Sequence, residues 1–435
     1  MAIKRAQLKQ QKQDALAARQ PALSMPEGGE WITAARKDAA GRLDAMGLPI
    51  RRDEYWKYTR PDAFTSAEPV AAALADDAGT QVFEGVDVLT VVFRDGAFDA
   101  DASDDLALDG VEISRLADAA QADIHWAKDI YGALETAGQD PVERPLAVLN
   151  TAYATDGLVI RATGAAAKPI HVVYERSSDT SDAVLHHVVK VEEGASVTLL
   201  ETGAAGARAN TVTEAAIADT AAFHHVRSQG RDQERQLVTH MFARLGTEST
   251  FKSFTLTPNG KMTRNECIME LTGDDAIAHV AGALMADGKD VHQDDTIFIT
   301  HDAVNCESRQ VFKKVLSNGA TGVFQGKILV KQGAQKTDGY QISQSLLLDE
   351  DSQFLAKPEL EIYADDVACS HGSTSGAIDE DALYYLRARG IPHRKAQDLM
   401  VLAFLAEAVD EIESEELREA ILRRIRLWLD LEDDL

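Results

Sequence analysis

From about residue 158 to 375 the chain alternates apolar and polar residues in short runs: "HVVKVEEGASVTLLE", "STFKSFTLT", "DDTIFITH", "GVFQGKILV" and "KPELEIYADDV". Alternation with period two marks half-buried β-strands. Turn-like tetrads begin at Gly194, Asp219, Gly246 and Gly273. Their spacing of roughly 26 residues falls in the range where periodic sequence signals solenoids and propellers. That length holds two or three short strands with their turns, which suits one coil of a β-helix. A four-stranded propeller blade needs more, and a β-sandwich is the competing arrangement. The pattern predicts parallel coils, with a strand edge at each end that must be capped or paired. The flanking helical regions are the expected caps.

Helical periodicity governs the two ends. Residues 3–20 predict a polar helix ended by Pro21, and "EWITAARKDAAGRLDAMG" a second closed by Gly47. "VLTVVFRDGAF" reads as a strand and "HWAKDIYGALETAG" as a helix, while Tyr55, Trp56 and Tyr58 in "RRDEYWKYTRPDAF" are expected to pack on the domain. After Gly376 come two helical stretches, "DEDALYYLRARGIPHRKAQDLMVLAFLAEAVDEI" and "ESEELREAILRRIRLWLDLEDDL". Leu417, Ile421, Ile425 and Trp428 or Leu429 form an apolar stripe there. It either packs on its own protein or, since the sides of a solenoid are already hydrogen-bonded, belongs to a projecting tail that docks a partner. The reading is a mainly β chain in three parts: 1–155 mixed and largely helical, 156–376 a β-helix core, and 377–435 helical.

Composition removes several function classes. With 71 acidic against 44 basic residues among 435, the net charge of −27 opposes sequence-independent nucleic-acid binding. No run of roughly 18 apolar residues occurs, so no membrane span is expected. The N-terminal "MAIKRAQLKQQKQDALAARQ" has no apolar core of a signal peptide, which predicts a cytoplasmic protein. Three separated cysteines without a CxxC argue for a reducing compartment and against a disulfide framework. GxxxxGK[ST], a strand-following GxGxxG, GxSxG and HExxH do not occur, so no ATP site or familiar hydrolytic centre is expected in this chain. The adjacent pairs His186-His187 and His224-His225 face opposite sides of a strand and read as ordinary strand residues. Cys267 and Cys306 read as structural.

"ADDVACSHGSTSG" is different. Cys369 and His371 are two apart, so on an extended backbone they project from one face, the geometry two soft ligands need to share one ion. Thiolate and imidazole together suit iron, zinc or copper(I). Most metal sites take four ligands, so the motif is half a site. Glu361, Asp365 and Asp366 lie close in sequence. Along an unbroken strand, Glu361, Asp365, Cys369 and His371 share one parity, on the face away from the apolar core. Clustered carboxylates such as Asp365 and Asp366 leave a β-helix carbohydrate-active enzyme as one alternative, and a stand-alone metal-binding protein as another.

The block from "NCESRQVFKKV" to "LYYLRARGI", with "KPELEIYADDVACSHG" inside it and "EYWKYT" near the N-terminus, resembles the SufB/SufD family of iron–sulfur cluster assembly proteins, on its SufD branch. The resemblance is dense over roughly 300–435 and diffuse elsewhere. Ser373 stands where the family commonly has alanine. The resemblance implies a right-handed parallel β-helix with helical flanks, working as a non-catalytic scaffold. It implies a heterodimer with a SufB-like chain through the β-helix and a SufC-like ATPase held by the C-terminal helices, with a homodimer possible in isolation. It also implies that His371, with Cys369 beside it, meets transient iron or a nascent iron–sulfur cluster at the SufB-like interface. ATP-driven motion of the ATPase would expose the site, and sulfur would arrive through the partner.

Overall fold

The structure, a computed structural model, describes residues 2–74, 82–230, 232 and 234–431. Among these, two ten-stranded sheets lie face to face. Successive strands of the repeating region alternate between them. Asp182–Val191 lies in sheet two, Ser196–Gly203 in sheet one, and Arg208–Ile217 back in sheet two. Neighbours within a sheet are parallel from Leu158–Ala162 to Val367–Gly376. Each coil therefore contributes two strands, and the chain is a parallel β-solenoid. Stacked residues are 28 positions apart at His225 and Ser253 and 30 apart at Ser343 and Ser373, so coil length varies along the solenoid.

The strands are not half-buried as alternation predicts; through the middle coils they are buried on both faces. Inward residues such as Phe223, Phe251, Leu245 and Leu271 fill the space between the sheets. Outward residues of sheet one, including Val226, Phe254, Val311 and Val315, pack against Leu405, Ile421 and Ile425 of the C-terminal helices His393–Val409 and Glu415–Trp428. Outward residues of sheet two, such as Val188, Val212 and Phe242, pack against Trp31, Ile32 and Leu134 from the N-terminal region. The molecule is layered as helices, sheet two, interior, sheet one, helices. The apolar stripe of Leu417, Ile421, Ile425 and Leu429 is buried in this way, so the C-terminal region is no projecting tail. Positions 432–435 of the predicted helical stretch lie outside the described residues.

The helices do not cap the ends of the solenoid. At the N-terminal end antiparallel strands do so: Ala97–Asp99 beside Leu89–Arg94, and Ala107–Leu108 beside Val111–Arg115. At the other end Gln353–Ile362 and Val367–Gly376 are each the last strand of their sheet. Their outer edges have no partner strand among the described residues.

The N-terminal helices follow their sequence signals at Ala2–Arg19 and Glu30–Met46. "VLTVVFRDGAF" forms the strands Leu89–Arg94 and Ala97–Asp99. "HWAKDIYGALETAG" does not form one helix; it splits into a 3-10 turn, Trp126–Asp129, and a short helix, Ala133–Ala137. Gly132 between them has φ +72°, a left-handed conformation that no helix continues through. Its N–H donates to Glu214 at 2.5 Å, a bond that lies outside any helix.

Candidate functional site at the open end of the solenoid

Val367–Gly376 pairs in parallel with Thr337–Leu347, which sets Cys369 beside Gly339, His371 beside Gln341, Ser373 beside Ser343 and Ser375 beside Ser345. In Thr337–Leu347 those odd-numbered positions are the buried ones. The same parity in the last strand therefore points into the mouth of the solenoid. Cys369 packs against the buried cluster of Ile328, Val330, Ala334 and Ala364, as do Leu360 and Val367. Its Sγ sits over Gly339, 3.2 Å from where a Cβ would stand. His371 shares this inward face, and it is exposed because no further coil stacks on it.

This corrects the expected register. The chain leaves sheet two at Ile362 and enters sheet one at Val367, so the strand is broken between them. Glu361 stays on the outer face of sheet two, where Lys327 Nζ donates to it at 2.8 Å. Asp365 and Asp366 lie in the turn, and the Asp366 N–H bonds Gln335 Oε1 at 2.9 Å. Cys369 and His371 remain together, and they face inward rather than away from the core. Among the described residues no three His, Cys, Asp or Glu side chains converge as a metal site. Burial, with Asp338 nearby, pushes the Cys369 thiol up, which favours its protonated form.

The remaining cysteines and paired histidines are enclosed. Cys267 lies in the interior, its thiol pushed up by burial to about 12, and Cys306 Sγ approaches Gly273 O at 3.3 Å. His186 and His187 do face opposite sides. His186 meets Asn150 Oδ1 at 3.0 Å and Glu214 Oε1 at 3.1 Å outside sheet two. His187 meets Tyr174 Oη at 2.9 Å inside. His225 is interior, and His224 faces the C-terminal helices near Glu413.

Sequence reasoning missed the polar thread inside the solenoid. Tyr174 Oη donates to Glu201 Oε1 at 2.7 Å, and Arg227 Nε donates to Glu201 Oε2 at 2.6 Å. Arg227 Nη1 continues to Thr239 Oγ1, which donates to Asn265 Oδ1 at 2.9 Å. Asn265 Nδ2 reaches Asp295 Oδ1 at 3.1 Å, and Lys314 Nζ closes on Asp295 Oδ2 at 2.6 Å. Burial alone would raise the Glu201 carboxyl, but Arg227 and His225 hold it well below the usual range. The signal in the sequence was partial: Glu201 follows the apolar run "VTLL" and Lys314 lies between Phe312 and Val315, whereas Arg227 and Asp295 sit in polar stretches. A charge at an inward position must be paired, because an unpaired buried charge costs several kcal/mol (on the order of 3–5).

The aromatic cluster near the N-terminus clamps the last coil. Tyr55 Oη donates to Glu359 Oε2 at 2.6 Å, and Trp56 lies under the Arg264 guanidinium at 4.3 Å. Arg264 is itself paired with Glu266 at 2.7 Å. Tyr55 and Trp56 are buried, as expected of packing residues, but Tyr55 packs on the solenoid at Phe298 and Glu359; Tyr58 is half-buried.

Comparison with known proteins gives two family matches. Residues 174–404 match the family described as "SUF system FeS cluster assembly, SufBD core domain". Residues 9–167 match "SufBD protein N-terminal region". The iron–sulfur cluster assembly protein SufD of Escherichia coli is 28% identical over 398 residues, covering 88% of this chain and 90% of that one. An iron–sulfur cluster assembly SufBD family protein of Synechocystis is 28% identical over 403 residues, 87% of this chain and 86% of its own. The SufD of Bacillus subtilis is 27% identical over 263 residues, 58% of this chain and 59% of its own.

Proposed function

Because the chain belongs to the SufBD family of the SUF iron–sulfur cluster assembly system, we propose that it is the SufD-type scaffold subunit of a cytoplasmic SUF complex. It carries out no chemistry of its own. It offers His371, assisted by Cys369, to incoming iron or a nascent cluster, which is cargo rather than a resident cofactor.

One observation carries this reading. The two soft donors lie on the inward face of the last strand, at the end of the solenoid that no capping strand covers among the described residues. An open strand edge is ordinarily covered, and two donors need completing. A SufB-like chain stacked on this end would do both, which favours cluster assembly between the two chains. Imidazole and thiol donors suit iron, and a mixed donor set keeps the cargo labile.

The helices His393–Val409 and Glu415–Trp428 use their inner face to cover sheet one, so a SufC-like ATPase docks on the outward side of the C-terminal region, where Leu427 and, on the preceding helix Glu380–Ala388, Tyr384 and Tyr385 are exposed. The three-part division at 155 and 376 thus corresponds to an N-terminal clamp, a cargo-bearing solenoid and an ATPase platform. In isolation the open end pairs with a second copy of itself. No described helix is long and apolar enough to cross a membrane.

Co-expression with SufB-like and SufC-like partners, followed by anaerobic purification, tests the reading. Complex yield and iron–sulfur content are measured in the same preparations. His371→Ala should leave the complex assembled and reduce cluster content sharply. Normal cluster content in an intact His371→Ala complex overturns the site.

A further inference from the structure

A ladder of side-chain amides runs up the inner face of sheet one and stops directly beneath His371. Gln310 and Gln341 are register partners on neighbouring strands, and Gln341 and His371 are register partners on the next pair. Gln341 Nε2 donates to Gln310 Oε1 at 2.9 Å, and Gln310 Nε2 donates to the Lys327 carbonyl at 3.5 Å. Both glutamines are fully buried. The Gln341 amide also crosses the interior to sheet two, where only a glycine leaves it room: a Cβ on Gly326 would lie 2.2 Å from Nε2.

The ladder has a direction. Gln341 Nε2 points back to Gln310 on the preceding strand of sheet one, while Gln310 Nε2 points across to Lys327 on sheet two. In each side chain the amide oxygen lies on the other branch of the planar group, away from the partner of the nitrogen. For Gln310 that oxygen is taken by Gln341. For Gln341 it is not: Oε1 is buried and has no hydrogen-bond partner among the described residues. A buried acceptor left without a donor is destabilising, because it has lost its water and gained nothing in return. The residue above it is His371, one strand spacing of about 4.8 Å away and on the same face.

Resting on the reading of His371 as a ligand, we propose that Gln341 is the positioning residue for that histidine. In this structure the exposed His371 ring does not reach Gln341 Oε1; a turn of that side chain inward lets one ring N–H donate to it, which fixes the tautomer and directs the other nitrogen, with its lone pair, toward the open end. A metal-binding imidazole ordinarily has its second nitrogen held in this way. The ladder is anchored at the Lys327 backbone and braced against Gly326, so it holds the imidazole from inside a solenoid whose end is otherwise free. Gln341 itself touches no cargo.

The test uses the full-length, metal-free chain labelled with ¹⁵N-histidine, with the His371 signals assigned by their loss in His371→Gln. The wild-type protein should show one tautomer, with the protonated and the bare ring nitrogen at well-separated resonances. Gln341→Met keeps the length of the side chain and removes the acceptor, and should give averaged nitrogen signals. Gln341→Glu restores an acceptor and should restore the single tautomer. Averaged signals in the wild type, or a single tautomer that persists in Gln341→Met, overturn the proposal; the wild-type spectrum decides even if a variant does not fold. Zinc(II) is then added as a diamagnetic probe. It should shift the bare nitrogen of the wild type, with Gln341→Met needing about 10–100-fold more metal. A locked tautomer that zinc does not perturb supports the positioning by Gln341 and counts against His371 as a ligand, so the two ideas fail separately.

Discussion

Gly326 and Gln341 face one another across the interior of the solenoid, on opposite sheets, and the amide of one occupies the space a side chain on the other would need. A Cβ at Gly326 would also lie 2.7 Å from Phe324 Cε1. Gly326→Ala should therefore overpack the last coils, with a loss of about 1–3 kcal/mol read by chemical denaturation. A variant as stable as the wild type would show that the Gln341 amide does not span this gap.

The buried and the exposed sides of the C-terminal region should separate by mutation. Ile421 is fully buried against sheet one, so Ile421→Ala should cost about 2–5 kcal/mol. Tyr384 and Tyr385 are 73% and 57% exposed. Replacing both by alanine should change stability by no more than about 0.5 kcal/mol and should abolish co-purification of the ATPase. Unchanged ATPase recovery with the double variant would remove the proposed docking face. Deleting everything from residue 391 onward is a poorer probe, because it strips the cover from Val226, Phe254 and Val311.

Acid should unfold the protein in a defined window. Burial lowers His171, His187, His240 and His301 each to about 4. In the unfolded chain they titrate near 6.5, at about the usual histidine value. Between those values the unfolded state binds more protons, so each contribution is fully present above pH ~6.5 and is lost as the pH falls toward about 4. At full effect each is worth on the order of 3 kcal/mol. Burial alone would raise Glu266, but Arg264, His240 and Arg144 lower it to about 2, so its contribution is lost as the pH falls from roughly 4.5 toward that value. Melting temperatures that stay flat from pH 7 to 4.5 would contradict this burial of neutral imidazoles.

The three thiols should differ in access and share low reactivity. Cys267 and Cys306 are buried and Cys369 is half-buried, and burial raises all three thiols. Iodoacetamide at neutral pH should modify Cys369 alone, slowly, with the rate rising as the pH approaches the thiol range above about 8.5. Peptide mass spectrometry reads the site. Fast modification at pH 7, or labelling of Cys267 in the native protein, would contradict the packing described.

Cys369→Ser and His371→Ala should weaken cluster content unequally if the thiol only assists, and equally if both donors meet the cargo. A structural role for Cys369 predicts instead a lower yield of complex, with cluster content proportional to the complex that survives. Side-by-side iron, sulfide and complex quantification distinguishes these patterns.

The sequence by itself determined repeating β structure in the middle of the chain, because a period of two and a turn signal every roughly 26 residues are local quantities. It favoured a solenoid but left a β-sandwich open, and the parallel stacking of coils was decided by tertiary structure. It also determined that Cys369 and His371 share a face, since residues two apart on an extended backbone always do. It did not determine which face. That depended on the break between Ile362 and Val367, where the chain passes from one sheet to the other and the parity counted from Glu361 no longer applies. The burial of both strand faces, the paired charges from Glu201 to Lys314, and the Gln310–Gln341 ladder under His371 were likewise decided only by tertiary structure. Each joins residues about half a coil apart or more, and the register that stacks them is set by packing between coils and by the helices laid over them, which no window of neighbouring residues contains.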